Sequence, residues 1–217
     1  MKRDHISQLQ PLKICNGWSV VLNNLCSEKR MQEKCELLIL QNEKRKAFIK
    51  VSYENNQYYI KVAGLHTDKI YEDESFNEIE QLLVELEYQI WNVGSGVLEN
   101  LQPLTQQIPN FLRLKIPASW TVDYITLKDT DPKTLKANDD AWLFDFNQDL
   151  LQISHKTKKL LLDVGWYPEG DQAGSYGIEL IKNGDWENPL EDIICTELKE
   201  LIKQLDYIFM KEMKNEY

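Results

Sequence analysis

The side chains that most often carry out acid–base or nucleophilic chemistry are few in this chain, and they stand apart from one another. Its three histidines are His5, His66 and His155, and none lies in a HExxH motif or beside a nucleophile elbow. The carboxylate pair Asp139-Asp140 could serve a hydrolase, but such pairs arise by chance among 35 acidic residues. No phosphate-binding loop and no metal-binding ladder of acids occurs. The sequence therefore predicts a protein that is not an enzyme and that uses neither a metal nor a cofactor.

The cysteines also lack the spacing of a functional site. Cys15, Cys26, Cys35 and Cys195 form no CxxC pair, which argues against a zinc site and against a disulfide framework. The first ten residues have no apolar segment typical of a signal peptide, and no apolar run approaches the ~20 residues of a membrane span. We therefore predict reduced thiols, a cytoplasmic location and no membrane partner.

The net charge of the chain indicates which class of partner it favours. The chain has 25 basic and 35 acidic residues, a net charge of −10. Residues 98–217 hold 13 basic and 21 acidic residues, so they contribute −8 of that total. An acidic protein is repelled by the phosphates of nucleic acid. The pattern favours a basic protein as the partner.

One stretch, Asp163–Leu190, combines turn residues, aromatic side chains and acids. Tryptophan and tyrosine are common anchors in interfaces, and carboxylates beside them are costly to bury. We predict a partner-binding surface at one end of the second sheet, made by Trp166, Tyr167, Glu169, Asp171, Asp185, Trp186 and Glu187. The alternative is that both tryptophans pack inward and seal the sheet. If this surface is not used, the next candidate is the acidic loop at Glu72, Asp73 and Glu74.

The elements that would position these residues occur twice along the chain. "LQPL" appears at 9–12 and again at 101–104, and each copy is followed by alternating strand patterns that begin after Trp18 and Trp120. "CELLIL" (35–40) is matched with "AWLFDF" (141–146), and "AFIKVSY" (47–53) with "LLLDVGW" (160–166). The next predicted strands pair Tyr58, Ile60 and Val62 with Tyr176, Ile178 and Leu180.

Each half ends in an amphipathic helix. Apolar residues recur with helical spacing at Ile79, Leu82, Leu83, Leu86 and Ile90, and again 119 positions later at Leu198, Leu201, Ile202, Leu205 and Phe209. Ser75 and Glu78 have the spacing of a capping box for the first helix, and Thr196 is a candidate cap for the second.

These patterns predict an α+β fold of two tandem pseudo-repeated units. Each unit is an antiparallel meander of about four strands covered by one C-terminal helix. The units are assigned to residues 1–97 and 98–217, with "NVGSGV" (92–97) as the boundary. "SEKRMQEK" (27–34) is a candidate short polar helix.

Several of these motifs resemble a known class of proteins. They are the "GW-S/T-V" strand starts, "DVGWYPEGD…GSYGIELI…DWENPL" and the helix "EL…LI..LDYIF". In these the chain resembles the immunity proteins of bacterial polymorphic toxin and contact-dependent inhibition systems. The resemblance implies a small acidic protein that binds one cognate toxin domain, commonly a nuclease, and blocks its active site. The tandem arrangement leaves open whether one unit binds or both do. An acidic secretion chaperone and an enzyme using surface carboxylates are the alternatives.

Overall fold

The computed structural model describes residues 5–26, 34–99 and 107–217, and these residues form a mixed α+β protein. They contain ten strands, namely β1 (Ser19–Asn23), β2 (Lys34–Asn42), β3 (Ala47–Glu54), β4 (Gln57–Gly64), β5 (Ile70–Phe76), β6 (Thr121–Ile125), β7 (Leu151–His155), β8 (Leu160–Tyr167), β9 (Ser175–Lys182) and β10 (Glu191–Cys195). The α-helices among the same residues are α1 (His5–Gln8), α2 (Ile79–Ser95), α3 (Ala141–Phe144) and α4 (Leu198–Met213). Short 3-10 turns lie at Val97–Glu99 and Pro132–Thr134.

The chain divides into two compact units. The N-terminal unit contains the described residues between 8 and 109 together with 114–120, and the C-terminal unit contains 5–7, 110–113 and 121–217. Strands follow one another in the order β1-β2-β3-β4-β5 in the first unit and β6-β7-β8-β9-β10 in the second, and neighbouring strands within each unit are antiparallel. Each unit therefore has five strands, one more than the sequence patterns predict.

The N-terminal unit buries one face of its meander. Alternating side chains of β3 and β4 are inaccessible, and so is the stripe of α2 formed by Leu82, Leu86 and Ile90. Trp18, directly before β1, is fully buried and donates its indole N–H to the carbonyl oxygen of Ile90 at 3.1 Å. The apolar stripe predicted for the first helix is thus the face that packs in the core.

The C-terminal unit is built in the same way. Leu162 and Val164 of β8 and Ile178 and Leu180 of β9 are buried, as is the stripe of α4. This stripe comprises Leu198, Leu201, Leu205, Ile208 and Phe209. Lys211 of α4 forms an ion pair with Glu191 of β10 at 2.5 Å, which fixes the helix against the side of β10 that carries Glu191.

In each unit, a basic side chain from a tight turn donates hydrogen bonds to the C-terminal end of the last helix. In the turn after β2, Arg45 donates to the carbonyl oxygen of Gly94 at the end of α2, at 3.0 and 3.1 Å. In the turn after β7, Lys158 donates to the carbonyl oxygen of Glu212 at 2.8 Å. Cations and donors at a helix C-terminus satisfy its free carbonyl groups. Both units therefore stabilise their helix with the same kind of contact.

The predicted strand at Ala141–Phe146 is wrong. Residues 141–144 form α3, and the strand that follows β6 is Leu151–His155. Asp139 accepts a hydrogen bond from the amide of Ala141 at 3.0 Å and so starts the helical turn. Trp142 and Phe146 stand four residues apart and pack with ring centroids at 4.8 Å, which is a helical spacing rather than the alternation of a strand.

The predicted helix caps are also corrected. α2 begins at Ile79 with Glu78 as its N-cap, and α4 begins at Leu198 with Glu197 as its N-cap. Neither cap residue makes a side-chain bond to the helix, so the capping box and the Thr196 cap are absent. The backbone of Glu78 and Glu197 is extended because a strand leads almost directly into each helix.

Two segments predicted as loops have regular structure. The acidic segment Tyr71–Glu78 lies largely in β5, where its side chains are mostly exposed. The segment 92–97 is the end of α2 through Ser95, and Gly96 then adopts the left-handed conformation that closes the helix. The second "LQPL" and nearly all of the candidate polar helix at 27–34 lie outside the described residues. No helix in the described ranges is long and apolar enough to cross a membrane.

Candidate functional site

The C-terminal sheet has a second face, opposite the one that α4 covers, which we call the open face. In the strand register Asp163 lies opposite Glu179, and Glu179 lies opposite Asp192. Residues paired in this way point to the same face of a sheet, with Cβ atoms about 4.5–5.5 Å apart. The three side chains therefore form an acidic row across β8, β9 and β10.

The acidic row is not balanced by an ion pair with any described residue. None of its three carboxylates forms an ion pair with any lysine, arginine or histidine in the described parts of the chain. Like charges directly opposite one another on a sheet are destabilising. The row thus has an unfavourable electrostatic energy that a cation from outside the row would relieve.

Asp163 is the most enclosed member of the row, with 6% of its surface exposed. Burial raises the pKa of its carboxyl group, the hydrogen bond from Gln152 (2.7 Å) lowers it, and nearby Asp149 raises it, with a net increase. The pKa of Glu179 is raised by burial and then by the charges of Asp192 and Asp163. Both raised pKa values show that the negatively charged forms of these two carboxyl groups are disfavoured at this position.

An apolar row runs beside the acidic one. Gly165 lies opposite Gly177, and Gly177 lies opposite Ile194, whose side chain is 73% exposed. The ring of Tyr167 lies over the two glycines: a Cβ added to Gly165 would come within 2.7 Å of the ring, and one added to Gly177 within 3.2 Å. A side chain at Gly165 would also meet the backbone carbonyl oxygen of Gln148 at 1.9 Å, so this position requires glycine, whereas one at Gly177 would move the tyrosine ring by only a few tenths of an ångström. Tyr167 itself is 45% exposed.

Together the two rows enclose a shallow hollow of about 280 Å³ within the C-terminal unit. Its lining consists of Asp163, Tyr167, Ser175, Gly177, Glu179, Asp192 and Ile194. Carboxylates accept hydrogen bonds from lysine and arginine, and the aromatic ring and isoleucine offer apolar contact to the stem of such a side chain. The hollow is therefore suited to a basic side chain of another molecule.

The residues predicted to bind a partner are divided by the structure. Trp166 is 1% exposed, donates its indole N–H to the carbonyl oxygen of Asp171 at 2.8 Å, and packs against Phe146 and Tyr176. For this tryptophan the inward-packing alternative is the correct one. Tyr167, the next residue along β8, points to the other face and lines the hollow.

The remaining predicted residues lie in two separate loops. Glu169 and Asp171 are exposed in the loop after β8, while Asp185, Trp186 and Glu187 are exposed in the loop after β9. Because β9 runs from one loop to the other, they lie at opposite ends of an eight-residue strand, a separation of roughly 23 Å. The prediction that all seven residues share one end of the sheet is wrong.

The acidic row itself was not predicted. Asp163 interrupts the apolar run of β8, and Glu179 interrupts that of β9, which is a visible signal in each strand alone. Their alignment depends on the register between strands, and a single strand pattern does not specify it.

The N-terminal unit has a hollow of about 610 Å³ on its own sheet, with a different charge balance. Its lining includes three lysines and three acids, at Lys34, Lys50, Lys61, Glu36, Glu54 and Asp73. Lys50 pairs with Glu36, and Lys34 pairs with Glu54 at 2.9 Å. Here the charges are compensated within the unit, so no external cation is required.

The candidate catalytic side chains show little sign of activation. Burial raises the pKa of the Cys15 and Cys195 thiols to about 11, opposite to the change that a nucleophilic thiolate needs. His155 is buried beside Glu212 with 3.4 Å between Nε2 and Oε1, where it joins β7 to α4, and His66 is exposed. All four cysteines are free, and the described residues hold no group of three or more His, Cys, Asp or Glu side chains that could hold a metal ion.

No family model, no curated protein and no solved structure matches this chain.

Proposed function

We propose that the protein is an immunity protein: it binds a basic toxin domain, such as a nuclease, and blocks its active site. The observation that carries the proposal is the acidic row of Asp163, Glu179 and Asp192, which lies uncompensated beside the exposed Tyr167 and Ile194. In this proposal the protein performs no chemistry of its own and needs no cofactor. It acts in the cytoplasm, a compartment that suits four free thiols.

The electrostatics support a basic protein as the partner. A lysine or arginine that enters the hollow removes the repulsion along the row and gains charge-assisted hydrogen bonds. At longer range the net charge of −10 steers a basic domain toward the protein and repels nucleic acid. A nuclease presents such a basic surface where it binds phosphates, so occupying it would block the substrate.

We further propose that the two units are diverged copies of one ancestral unit. Equivalent strands support this, because the pairing of β1 with β2 shifts register between Val20 and Leu22, and that of β6 with β7 shifts 102 positions later, between Val122 and Tyr124. Helices α2 and α4 begin 119 positions apart.

If the units are copies, their open faces have diverged in charge, where the open face of the N-terminal unit is the sheet face opposite the one that α2 covers. Lys50, Lys61 and Asp73 lie opposite one another in the N-terminal unit, at the positions where the C-terminal unit has Asp163, Glu179 and Asp192. Two lysines in one copy thus correspond to two acids in the other. This difference favours the C-terminal unit as the one that binds the toxin.

The test is protection of growing cells. The toxin candidate is the polypeptide encoded next to this protein in its genome, produced in a host with and without the protein. We expect the wild-type protein to restore growth, and the triple variant Asp163→Asn, Glu179→Gln, Asp192→Asn to fail. The purified variant should also associate at least about tenfold more slowly at low salt, because it lacks the charges that steer and hold the partner.

A matched control removes the same number of charges elsewhere. The variant Glu72→Gln, Asp73→Asn, Glu74→Gln neutralises three acids of β5 and should protect as well as wild type. If instead this variant fails and the acidic-row variant protects, the binding surface lies on β5. If the protein holds its neighbour in an unfolded form without neutralising it, the protein is a chaperone and the proposal is wrong.

A further inference from the structure

The outer edge of the C-terminal sheet differs from that of the N-terminal sheet. β10 pairs with β9 alone among the described strands, and β5 likewise pairs with β4 alone within its unit. An edge strand leaves a row of backbone N–H and C=O groups unpaired, and proteins commonly protect such edges with charged side chains. The two edge strands can therefore be compared by the charged side chains that they carry.

β5 carries more of that protection than β10, which keeps Glu191 and Asp192 but lacks a third consecutive charge. In β5, Asp73 lies opposite Lys61, and the next two residues are Glu74 and Ser75. In β10, Asp192 lies opposite Glu179, and the next two residues are Ile193 and Ile194. The charge of Glu74 and the hydroxyl group of Ser75 in β5 are thus replaced by Ile193 and Ile194 in β10. Ile194 is mostly exposed.

The two exposed side chains of β10 also extend the hollow to this edge. Asp192 ends the acidic row, and Ile194 ends the apolar row that begins at Tyr167. A strand added beside β10 would place alternate side chains next to these two, since residues two apart share a face. The side chain beside Asp192 would be favourable if basic, and the one beside Ile194 would be favourable if apolar.

We propose that the partner binds by strand addition: an extended segment with a basic–x–apolar pattern pairs with β10 and continues the sheet. The backbone hydrogen bonds supply affinity, and the alternation of Asp192 and Ile194 supplies selectivity. A second copy of this chain fits less well. Its own edge strands, β5 and β10, carry acids at 72–74 and 191–192 and contain no lysine or arginine, so neither supplies the basic residue that Asp192 favours. This inference rests on the proposed function and specifies how the same face is used.

The probe is a capped eight-residue peptide, Lys-Thr-Val-Thr-Lys-Thr-Val-Thr, added to the full-length protein. Its lysines and valines stand two positions apart and therefore share one face of an extended strand. We expect it to bind, to slow hydrogen exchange of amides in 191–195, and to bind several-fold more weakly to Ile194→Ser, which introduces the β5 residue type. A peptide with glutamate in place of lysine should not bind. Exchange in β5 should be unchanged.

Backbone pairing is tested by two methylated forms of the peptide, one N-methylated on the lysines and valines and the other on the threonines. In a strand, alternate N–H groups point to opposite edges, so only one form loses the donors that face β10. We expect one form to bind at least about tenfold more weakly than the other. Equal binding of the two forms, or no binding of the parent peptide, overturns strand addition. Either result would leave the growth test of the acidic row unaffected, so the two proposals can fail separately.

Discussion

Asp163 illustrates how a single residue of the proposed binding surface can weaken a fold. Its carboxylate is almost completely enclosed, accepts a hydrogen bond from Gln152, faces Glu179, and forms no ion pair with the residues that the structure describes. Burial and the neighbouring Asp149 hold the pKa of Asp163 above its ordinary value in the folded protein. A carboxyl group with a raised folded-state pKa favours folding only while it is protonated, and that contribution is lost as the pH rises through the folded-state pKa.

We therefore expect Asp163→Asn to stabilise the protein at pH 7, by up to about 1 kcal/mol. The gain should shrink as the pH falls through the raised folded-state pKa of Asp163, which lies above the ordinary carboxyl range, because the wild-type group is then protonated. Urea unfolding of both proteins at several pH values measures this, with Asp123→Asn, an exposed acid of β6, as the control. A variant that is less stable than wild type at pH 7 would show that the bond from Gln152 outweighs the repulsion.

The two tryptophans of the segment 163–190 should respond differently to substitution. Trp166 is packed among Trp142, Phe146 and Tyr176, whereas Trp186 is 50% exposed in the loop after β9. Trp166→Ala should lower the free energy of unfolding by about 3–5 kcal/mol, because it leaves a cavity in the aromatic cluster. Trp186→Ala should change it by about 0.5 kcal/mol or less, as is usual at exposed sites. Equal losses in thermal denaturation would contradict this assignment.

At the scale of the elements, β9 separates the loop that adjoins the hollow from the loop at the opposite end of the strand. The hollow extends from the middle of β8 and β9 to Tyr167 and Ser175, at the end that carries the loop with Glu169. The loop with Glu187 is at the other end of β9. We expect Glu169→Lys to slow association with the toxin about two- to fivefold at low salt, and Glu187→Lys to slow it less, although both change the charge equally. Stopped-flow rates measure this. A larger effect at Glu187 would place the contact at the far loop.

The elements also show what a sequence can and cannot specify. Both long helices were predictable, because apolar residues at Leu82, Leu86 and Ile90 repeat with the period of a helix and recur 119 residues later. The prediction of a strand at 141–146 was wrong because a short aromatic run is compatible with a strand or with a helix. The spacing of Trp142 and Phe146 indicates a helical turn only once the contact between their rings is known. The acidic row could not be predicted because its three members come from three strands, and only their register brings them together.

At the scale of the whole molecule, the charges on the open face of the N-terminal unit can be compared with those of the C-terminal unit. The N-terminal unit accepts Lys50 opposite Lys61 on its open face, since Glu36 pairs with Lys50 and Asp73 lies opposite Lys61. The C-terminal unit has acids near the corresponding places: Asp149 is near enough to Asp163 to raise its pKa, and Asp192 lies opposite Glu179. The C-terminal scaffold should therefore tolerate the charge pattern of its neighbour.

We accordingly expect the double variant Asp163→Lys, Glu179→Lys to fold, with a lower melting temperature because position 163 is only 6% exposed, and to lose protection against the toxin. Flanking acids can pair with the new lysines, while a basic partner now meets two like charges, a juxtaposition that costs several kcal/mol of binding energy. Circular dichroism melting and the growth assay measure the two outcomes. The matched variant Lys50→Asp, Lys61→Glu makes the reverse change in the N-terminal unit and should keep protection. If the first variant still protects and the second does not, the toxin binds the N-terminal unit, and the carboxylates of the C-terminal unit serve some other purpose.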